Sequence, residues 1–253
     1  MTTIPISIQL YTVRDLTAKD EISVLRQIAE IGYKGVEIGG FFGRTASEFQ
    51  AILGDRGLVA SAAWTALPTE DNIDGIIETH SPLRLKDFIC GFGPNDFSSA
   101  DDCKRIAEKF QTAAEVCAKR GCSFSFHNHE WEFKPLPDGR LPYDILMAEA
   151  PAACSELDVY WAQFGGADAA ALTRKYRSRL RLVHVKDGVL AADRSMTAVG
   201  SGSLDMPGIL SAFDPSVTKW LTVELDACHT DMLEAVRQSY DYLVGSGYGI
   251  GNR

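Results

Sequence analysis

Eight short runs of β-type residues alternate with helical stretches along the chain, and this alternation limits the fold more than any other feature. The runs are Ile6–Tyr11, Gly35–Ile38, Val59–Trp64, Asp87–Gly91, Ser123–His127, Ser155–Val159, Leu180–Val185 and Trp220–Leu225. Between them apolar residues recur three and four apart, as on one helix face, in SVLRQIAEIGY, SEFQAILGDRG, ADDCKRIAEKFQTAAEVCAKRG, ADAAALTRKYRS and MLEAVRQSYDYLVG. Gly57 and Gly121 stand where a helix ends in a left-handed residue just ahead of a strand. Strand–helix alternation predicts a parallel sheet, and eight units let that sheet close into an α/β barrel of the (β/α)8 type. The fourth strand gives the weakest signal, because DNIDGIIETHSPLRLKDFICGFG is polar and interrupted by Pro82. A length of 253 residues suits one such barrel. No linker or low-complexity run divides it, so residues 1–253 are expected to form a single domain. The glycine-rich end, from about 245 to 253, is expected to fray.

Charge and cysteine usage narrow the function. A formal charge of -9 argues against a nucleic-acid partner, whose phosphates attract basic surfaces. No apolar run reaches the roughly 18 residues a membrane span needs. The six cysteines form no CxxC pair and scatter through helices and strands, which suggests reduced thiols and a cytoplasmic location.

Four polar residues sit near the ends of four successive apolar strands: His127, Asp158, His184 and Glu224. They are separated by 31, 26 and 40 residues, too far apart for one helix face but right for one residue per βα unit. Side chains alternate between lumen and helix layer along a barrel strand. If Val183 and Val185 pack outward, Leu182, His184 and Lys186 point inward. The same rule sends Thr222, Glu224 and Asp226 inward, as well as Asp158, and also Ser125, His127 and His129. Strand ends at the C-terminal face are where barrel active sites lie.

Each residue alone has a structural explanation. A histidine at a strand end can be a hydrogen-bonded core group. Asp158 can cap the following helix, and Glu224 can pair with Lys186. Together, two buried carboxylates beside two imidazoles leave like charges facing one another unless a counter-ion joins them. A mixed N/O set without thiolates suits Mn²⁺, Mg²⁺, Co²⁺ or Zn²⁺ and disfavours a structural zinc site.

At these residues the chain resembles the sugar phosphate isomerase/epimerase superfamily, the xylose isomerase-like TIM barrels. The similarity begins at SIQLYTVRD, passes through GVEIGG, HNHEWEF, LDVYW and HVKDG, and ends with VGSGSLD and VELD. The resemblance implies a divalent metal, with Mn²⁺ foremost, on His127, Asp158, His184 and Glu224. It also implies proton transfer on a small sugar, keto-sugar or polyol through a metal-stabilised enediolate. His127 stands where many relatives place a glutamate, which weakens a two-glutamate epimerase mechanism. Glu132, Glu130, His129 or Lys186 could supply the missing acid–base group, and His129 rather than His127 could be the ligand. Trp161 replaces a histidine of the ketose epimerases and reads as a platform for a sugar ring.

These residues give an expected division of roles. Glu224 is the leading base, Lys186 steadies a developing oxyanion, and Glu132 is a further acid–base candidate. Gln9, Glu37, Trp64, His129 and Trp161 are expected to bind substrate, with Tyr11 as an additional wall. No basic phosphate cradle is evident, so a non-phosphorylated substrate is favoured. The alternatives are a lyase or dehydratase acting on a 3-keto-sugar or polyol, a non-catalytic sugar-binding barrel, and, least favoured by charge, a nuclease. Barrels of this family often pair as homodimers.

Overall fold

A computed structural model describes residues 3–191 and 193–253. Its barrel strands are β1 (Ile4–Gln9), β2 (Gly35–Ile38), β3 (Val59–Trp64), β4 (Asp87–Cys90), β5 (Ser123–His127), β6 (Cys154–Asp158), β7 (Leu180–Val185) and β8 (Trp220–Val223). Each pairs in parallel with the next, and β8 pairs with β1, so the sheet closes. Around it lie helices α1 (Arg14–Ile31), α2 (Ala46–Gly54), α3 (Ile73–His80), α4 (Ala100–Lys119), α5 (Pro142–Glu149), α6 (Val159–Phe164), α7 (Ala169–Tyr176), α8 (Met206–Leu210) and α9 (Met232–Gly245). The fourth strand, weakest in the sequence, is present.

Helix α4 shows how the outer layer is held. Ser99 caps it by accepting from Asp102 N, and Cys103, Ile106, Phe110, Ala113 and Cys117 form its buried stripe. Phe110 stacks on Phe126 of β5 with ring centroids 5.1 Å apart. Burying each large side chain of this kind stabilises by roughly 1.5–3 kcal/mol, and Phe110→Ala would cost about 3–5 kcal/mol through the cavity it leaves. Gly57 and Gly121 take positive φ (67° and 70°) where the chain leaves α2 and α4, as their sequence positions imply.

The lumen is layered. Ala62, Ile89 and Leu182 form a small apolar plug with Trp64 and Trp220 against it. Above it, toward the strand C-termini, the inward positions are polar. In register, Gln9 lies beside Glu37, His127 beside Glu156, and Asp158 beside His184, itself beside Thr222.

Of the strand ends that differ from the sequence pattern, three do so for identifiable local reasons. The Gln9 side chain accepts from Tyr11 N, turning the chain into a 3-10 turn at Leu10–Val13 and lifting Tyr11 out of β1 to the rim. β6 stops at Asp158 because Asp158 caps α6. β8 stops at Val223, and Leu225 N donates instead to Thr12 Oγ1.

The C-terminal segment, expected to fray, is instead docked. Gly249–Ile250 pairs in parallel with Ile4–Pro5. Asn252 N donates to Gly32 O (2.7 Å), and its side-chain amide donates to Tyr33 O and Gly57 O (3.1 Å each). Glycine-rich composition suggested mobility, but the backbone donors and acceptors find partners at the base of β1, β2 and β3.

Candidate active site

Asp158 and His184 define the centre of the mouth. Asp158 Oδ1 accepts from Trp161 N (2.9 Å), which caps α6 and fixes the carboxylate, while Oδ2 turns toward the lumen. The helix-capping role and the candidate ligand role are therefore divided between two oxygens of one side chain. His184 Nε2 lies 2.8 Å from Glu37 Oε1. A carboxylate only accepts, so that nitrogen donates and Nδ1 is the edge left for the mouth.

Around this centre, His184 Nδ1 lies 2.7 Å from Glu224 Oε2 and 4.0 Å from Asp158 Oδ2. Lys186 Nζ lies 2.9 Å from Asp158 Oδ2, 2.7 Å from Glu224 Oε2 and 2.8 Å from Asp226 Oδ2. Only the Asp226 contact has hydrogen-bond direction. Asp158 Oδ2 and His184 Nδ1 are fully buried yet have no hydrogen bond in line. These two atoms lie 4.0 Å apart, close enough for one cation to meet both. His127, Asp158 and His184 offer donor atoms within 4.8 Å of one another. Glu37, Glu156 and His184 form a second such group deeper in the lumen. The donors therefore fit a divalent ion at the upper group, with Glu224 beside it.

The protonation pattern follows from crowding. Burial opposes charge on His184, but Glu156, Glu37 and Glu224 around it raise its pKa well above the usual imidazole range. Burial, together with His184, His129 and Lys186, pushes His127 well below that range, so it is a neutral imidazole. Burial also raises Asp158, to about 6, against the pull of Lys186 and His184. Glu224 is buried too, but Lys186 and His184 hold its carboxyl below the ordinary range. Glu156 is pushed well above it by burial and by Glu37. Acidic groups here outnumber permanent cations, and Lys186 is the one lysine among them.

A cavity of about 350 Å³ opens directly over this cluster, lined by Gln9, Tyr11, Gly39, Trp64, His127, His129, Lys186, Glu224 and Asp226. Gln9, Trp64 and His129 thus stand on the wall. Glu37 does not. It is fully buried beneath His184, where it also accepts from Gln9 Nε2 (2.6 Å) and Trp64 Nε1 (2.9 Å). The strand alternation that pointed it inward says nothing about depth, and Glu37 sits one layer below the wall.

Trp161 is 6% exposed and packs edge-on against Phe164 and Tyr160, outside the cavity lining. That corrects its expected place as a platform. Glu132 is likewise outside the cavity. Its Oε2 accepts from His129 N (2.9 Å), and burial raises its pKa well above the usual carboxylate range. It holds the loop that carries His129. Asp187, at the start of the loop after β7, accepts from the backbone N–H groups of Gly188, Gly200, Gly202 and Leu204.

Sequence reasoning missed Glu156. It lies two residues before Asp158 on β6, so alternation turns it inward as well. Its Oε2 lies 3.1 Å from His127 Nδ1, a contact that orients that ring as Glu37 orients His184.

A closed parallel barrel with an acid–imidazole cluster at its C-terminal mouth is the architecture of a TIM-barrel enzyme site. A family model described as xylose isomerase-like TIM barrel matches residues 25–244, and the chain belongs to that family. It is 26% identical over 241 residues to the rhizopine catabolism protein MocC of Rhizobium meliloti, covering 80% of this chain and 73% of the relative. Among solved structures it resembles a sugar phosphate isomerase/epimerase from Parabacteroides distasonis (TM-score 0.81, 24% identity, 99% of this chain and 96% of the other). It is also similar in fold to the probable 3-DHS dehydratase AsbF of Bacillus anthracis (TM-score 0.73, 14% identity, 95% and 98%). A third such structure is an L-ribulose 3-epimerase (TM-score 0.71, 14% identity, 97% and 95%). At these identities the likeness to solved structures concerns the fold. Among the described residues no helix is long and apolar enough to cross a membrane.

Proposed function

We propose that the chain is a divalent-metal-dependent isomerase or epimerase of a small, non-phosphorylated sugar, keto-sugar or polyol. The observation that carries this reading is the pair of buried ligand atoms, Asp158 Oδ2 and His184 Nδ1, which have ionic neighbours but no directed hydrogen bond in the cluster beneath the cavity. His127, Asp158, His184 and Glu224 would hold the ion, and a mixed N/O set suits Mn²⁺, Mg²⁺, Co²⁺ or Zn²⁺, of which the family resemblance points to Mn²⁺. When bound, the ion supplies Lewis-acid polarisation of a substrate carbonyl.

The side chains supply the rest. Glu224 faces the cavity as a carboxylate and takes the proton from the carbon beside the carbonyl, giving an enediolate. Returning it to the neighbouring carbon isomerises the substrate. Lys186 Nζ, on the same wall, donates to the developing oxyanion. Gln9 and His129 orient hydroxyl groups, and Trp64 and Tyr11 give the apolar faces of a sugar a surface to lie on. The neutral imidazole of His127, where a second carboxylate would work the opposite face, favours return of the proton by Glu224 itself. A lyase acting on a 3-keto-sugar or polyol is the second reading. It is favoured by Lys186 sharing the cavity with the base, since its ammonium can protonate a leaving alkoxide.

Incubation of the Mn²⁺-loaded protein with ketoses and 3-keto-glycosides in D₂O tests both. Deuterium in recovered or isomerised sugar supports the first reading, and an unsaturated product supports the second. If Glu224→Gln exchanges deuterium as fast as the unaltered protein, the assignment of the base is wrong.

A further inference from the structure

Lys186 occupies a place that the proposed metal also needs. Its ammonium lies within 2.9 Å of Asp158 Oδ2 and Glu224 Oε2, both assigned above to the ion. A divalent ion on those same oxygens would stand close to the ammonium and repel it. Yet Lys186 is not committed to either one, because its directed hydrogen bond runs to Asp226 Oδ2 at 2.8 Å. Asp226 is the most accessible of the three carboxylates, with its side chain one-third exposed on the cavity wall. A four-carbon stem carries the charge, so a short swing about its terminal torsions takes Nζ off Asp158 and Glu224 while it keeps Asp226, without moving β7.

We propose that Lys186 is a built-in competitor for the metal: its ammonium neutralises Asp158 and Glu224, and it withdraws onto Asp226 when a divalent ion takes those two carboxylates. The inference rests on the metal-site reading and adds a residue that sets the site's affinity. Withdrawn onto Asp226, the ammonium stands on the cavity wall, where a substrate oxygen arrives. Asp226 is then a positioning residue acting through Lys186, and the same charge that weakens ion binding becomes the donor to substrate. A site whose ligand-ready arrangement is a minor population binds more weakly by that fraction.

The test is Mn²⁺ titration of metal-stripped full-length protein by calorimetry, for the unaltered chain, Lys186→Met, Asp226→Asn and the double variant. Lys186→Met is expected to bind Mn²⁺ about tenfold tighter or more. Asp226→Asn is expected to weaken binding about threefold in the presence of Lys186 and to change it little in the Lys186→Met background. Equal affinity with and without Lys186 overturns the inference while leaving the metal site standing. So does an equal loss from Asp226→Asn in both backgrounds. No Mn²⁺ bound by any of the four proteins removes the metal reading itself. Should Lys186→Met fold poorly, amine acylation of the unaltered protein, followed at Lys186 by mass spectrometry, gives a second measurement. Labelling of Lys186 is expected to rise on adding Mn²⁺, and unchanged labelling overturns the proposal.

Discussion

Glu37 Oε1 lies 2.8 Å from His184 Nε2, beneath the mouth and out of reach of the cavity. With Gln9 and Trp64 donating to the same oxygen, the carboxylate is held from three sides and fixes which edge of the imidazole faces upward. Removing its charge while keeping its shape should loosen that choice. Glu37→Gln is expected to lower Mn²⁺ affinity and kcat/KM by roughly 10–100-fold, the usual effect of losing an outer-shell partner of a ligating histidine. Metal content after dialysis and steady-state kinetics measure it. Unchanged values for both would mean that the ring is oriented by packing alone.

Glu132 separates a structural acid from a catalytic one. Its folded pKa is raised by burial above the value of an unfolded carboxylate. Between those two values the folded chain keeps a proton that the unfolded chain releases. Stability from this group is therefore full below the ordinary carboxylate range and falls as pH rises through the raised value. Glu132→Gln carries no such slope and retains an acceptor for His129 N. Chemical denaturation at several pH values should show the variant gaining on the unaltered protein as pH rises, with activity within about threefold. A loss of activity near a thousandfold would restore Glu132 to the catalytic group.

Asp187 anchors the loop after β7 through four backbone donors at 2.8–3.2 Å. Gly202 belongs to the same knot: a Cβ there would fall 2.1 Å from Asp187 Oδ1. Asp187→Ala leaves the buried N–H groups of Gly188 and Leu204, and the partly buried ones of Gly200 and Gly202, without an acceptor. A loss of about 3 kcal/mol or more is expected, since each such orphan costs about 1–3 kcal/mol. A stability within 1 kcal/mol of the unaltered chain, by urea denaturation, would contradict that expectation.

Tyr11 offers a contrasting case on the rim. It is 53% exposed, lines the cavity, and carries the Arg14 guanidinium 4.0 Å from its ring centroid. Tyr11→Ala should raise KM several-fold through lost contact with substrate, while changing stability by no more than about 0.5 kcal/mol. A lowered melting temperature with unchanged KM would make it a structural residue.

Period and spacing made most of the barrel legible. Each of the eight strands lies where alternation put it, because a buried parallel strand has to present a run of apolar residues to the helix layer. Strand ends were less legible. Their positions depend on single side-chain bonds, such as the Gln9 acceptor and the Asp158 cap, that hydrophobic pattern does not register. Within the site, alternation gives direction and not height. It turned Glu37 inward but did not say that the residue lies below the ring of His184. Glu156 was equally available from alternation, two residues before Asp158, and was passed over because it is not at the end of its strand. Trp161 was misplaced because its position follows from the cap on α6, which swings the indole against Phe164. Lys186 was found as an inward residue, but its sharing of Asp158 and Glu224 needed three-dimensional distances.

The docked C-terminal segment has a practical bearing. Gly249–Ile250 extends the sheet beside Ile4–Pro5, and Asn252 ties together the turns that lead into β2 and β3, all at the floor of the barrel opposite the catalytic mouth. Trimming these last residues for crystallisation, or fusing a bulky partner directly after them, would unfasten the floor while leaving every mouth residue in place. An affinity handle is better separated from Arg253 by a spacer.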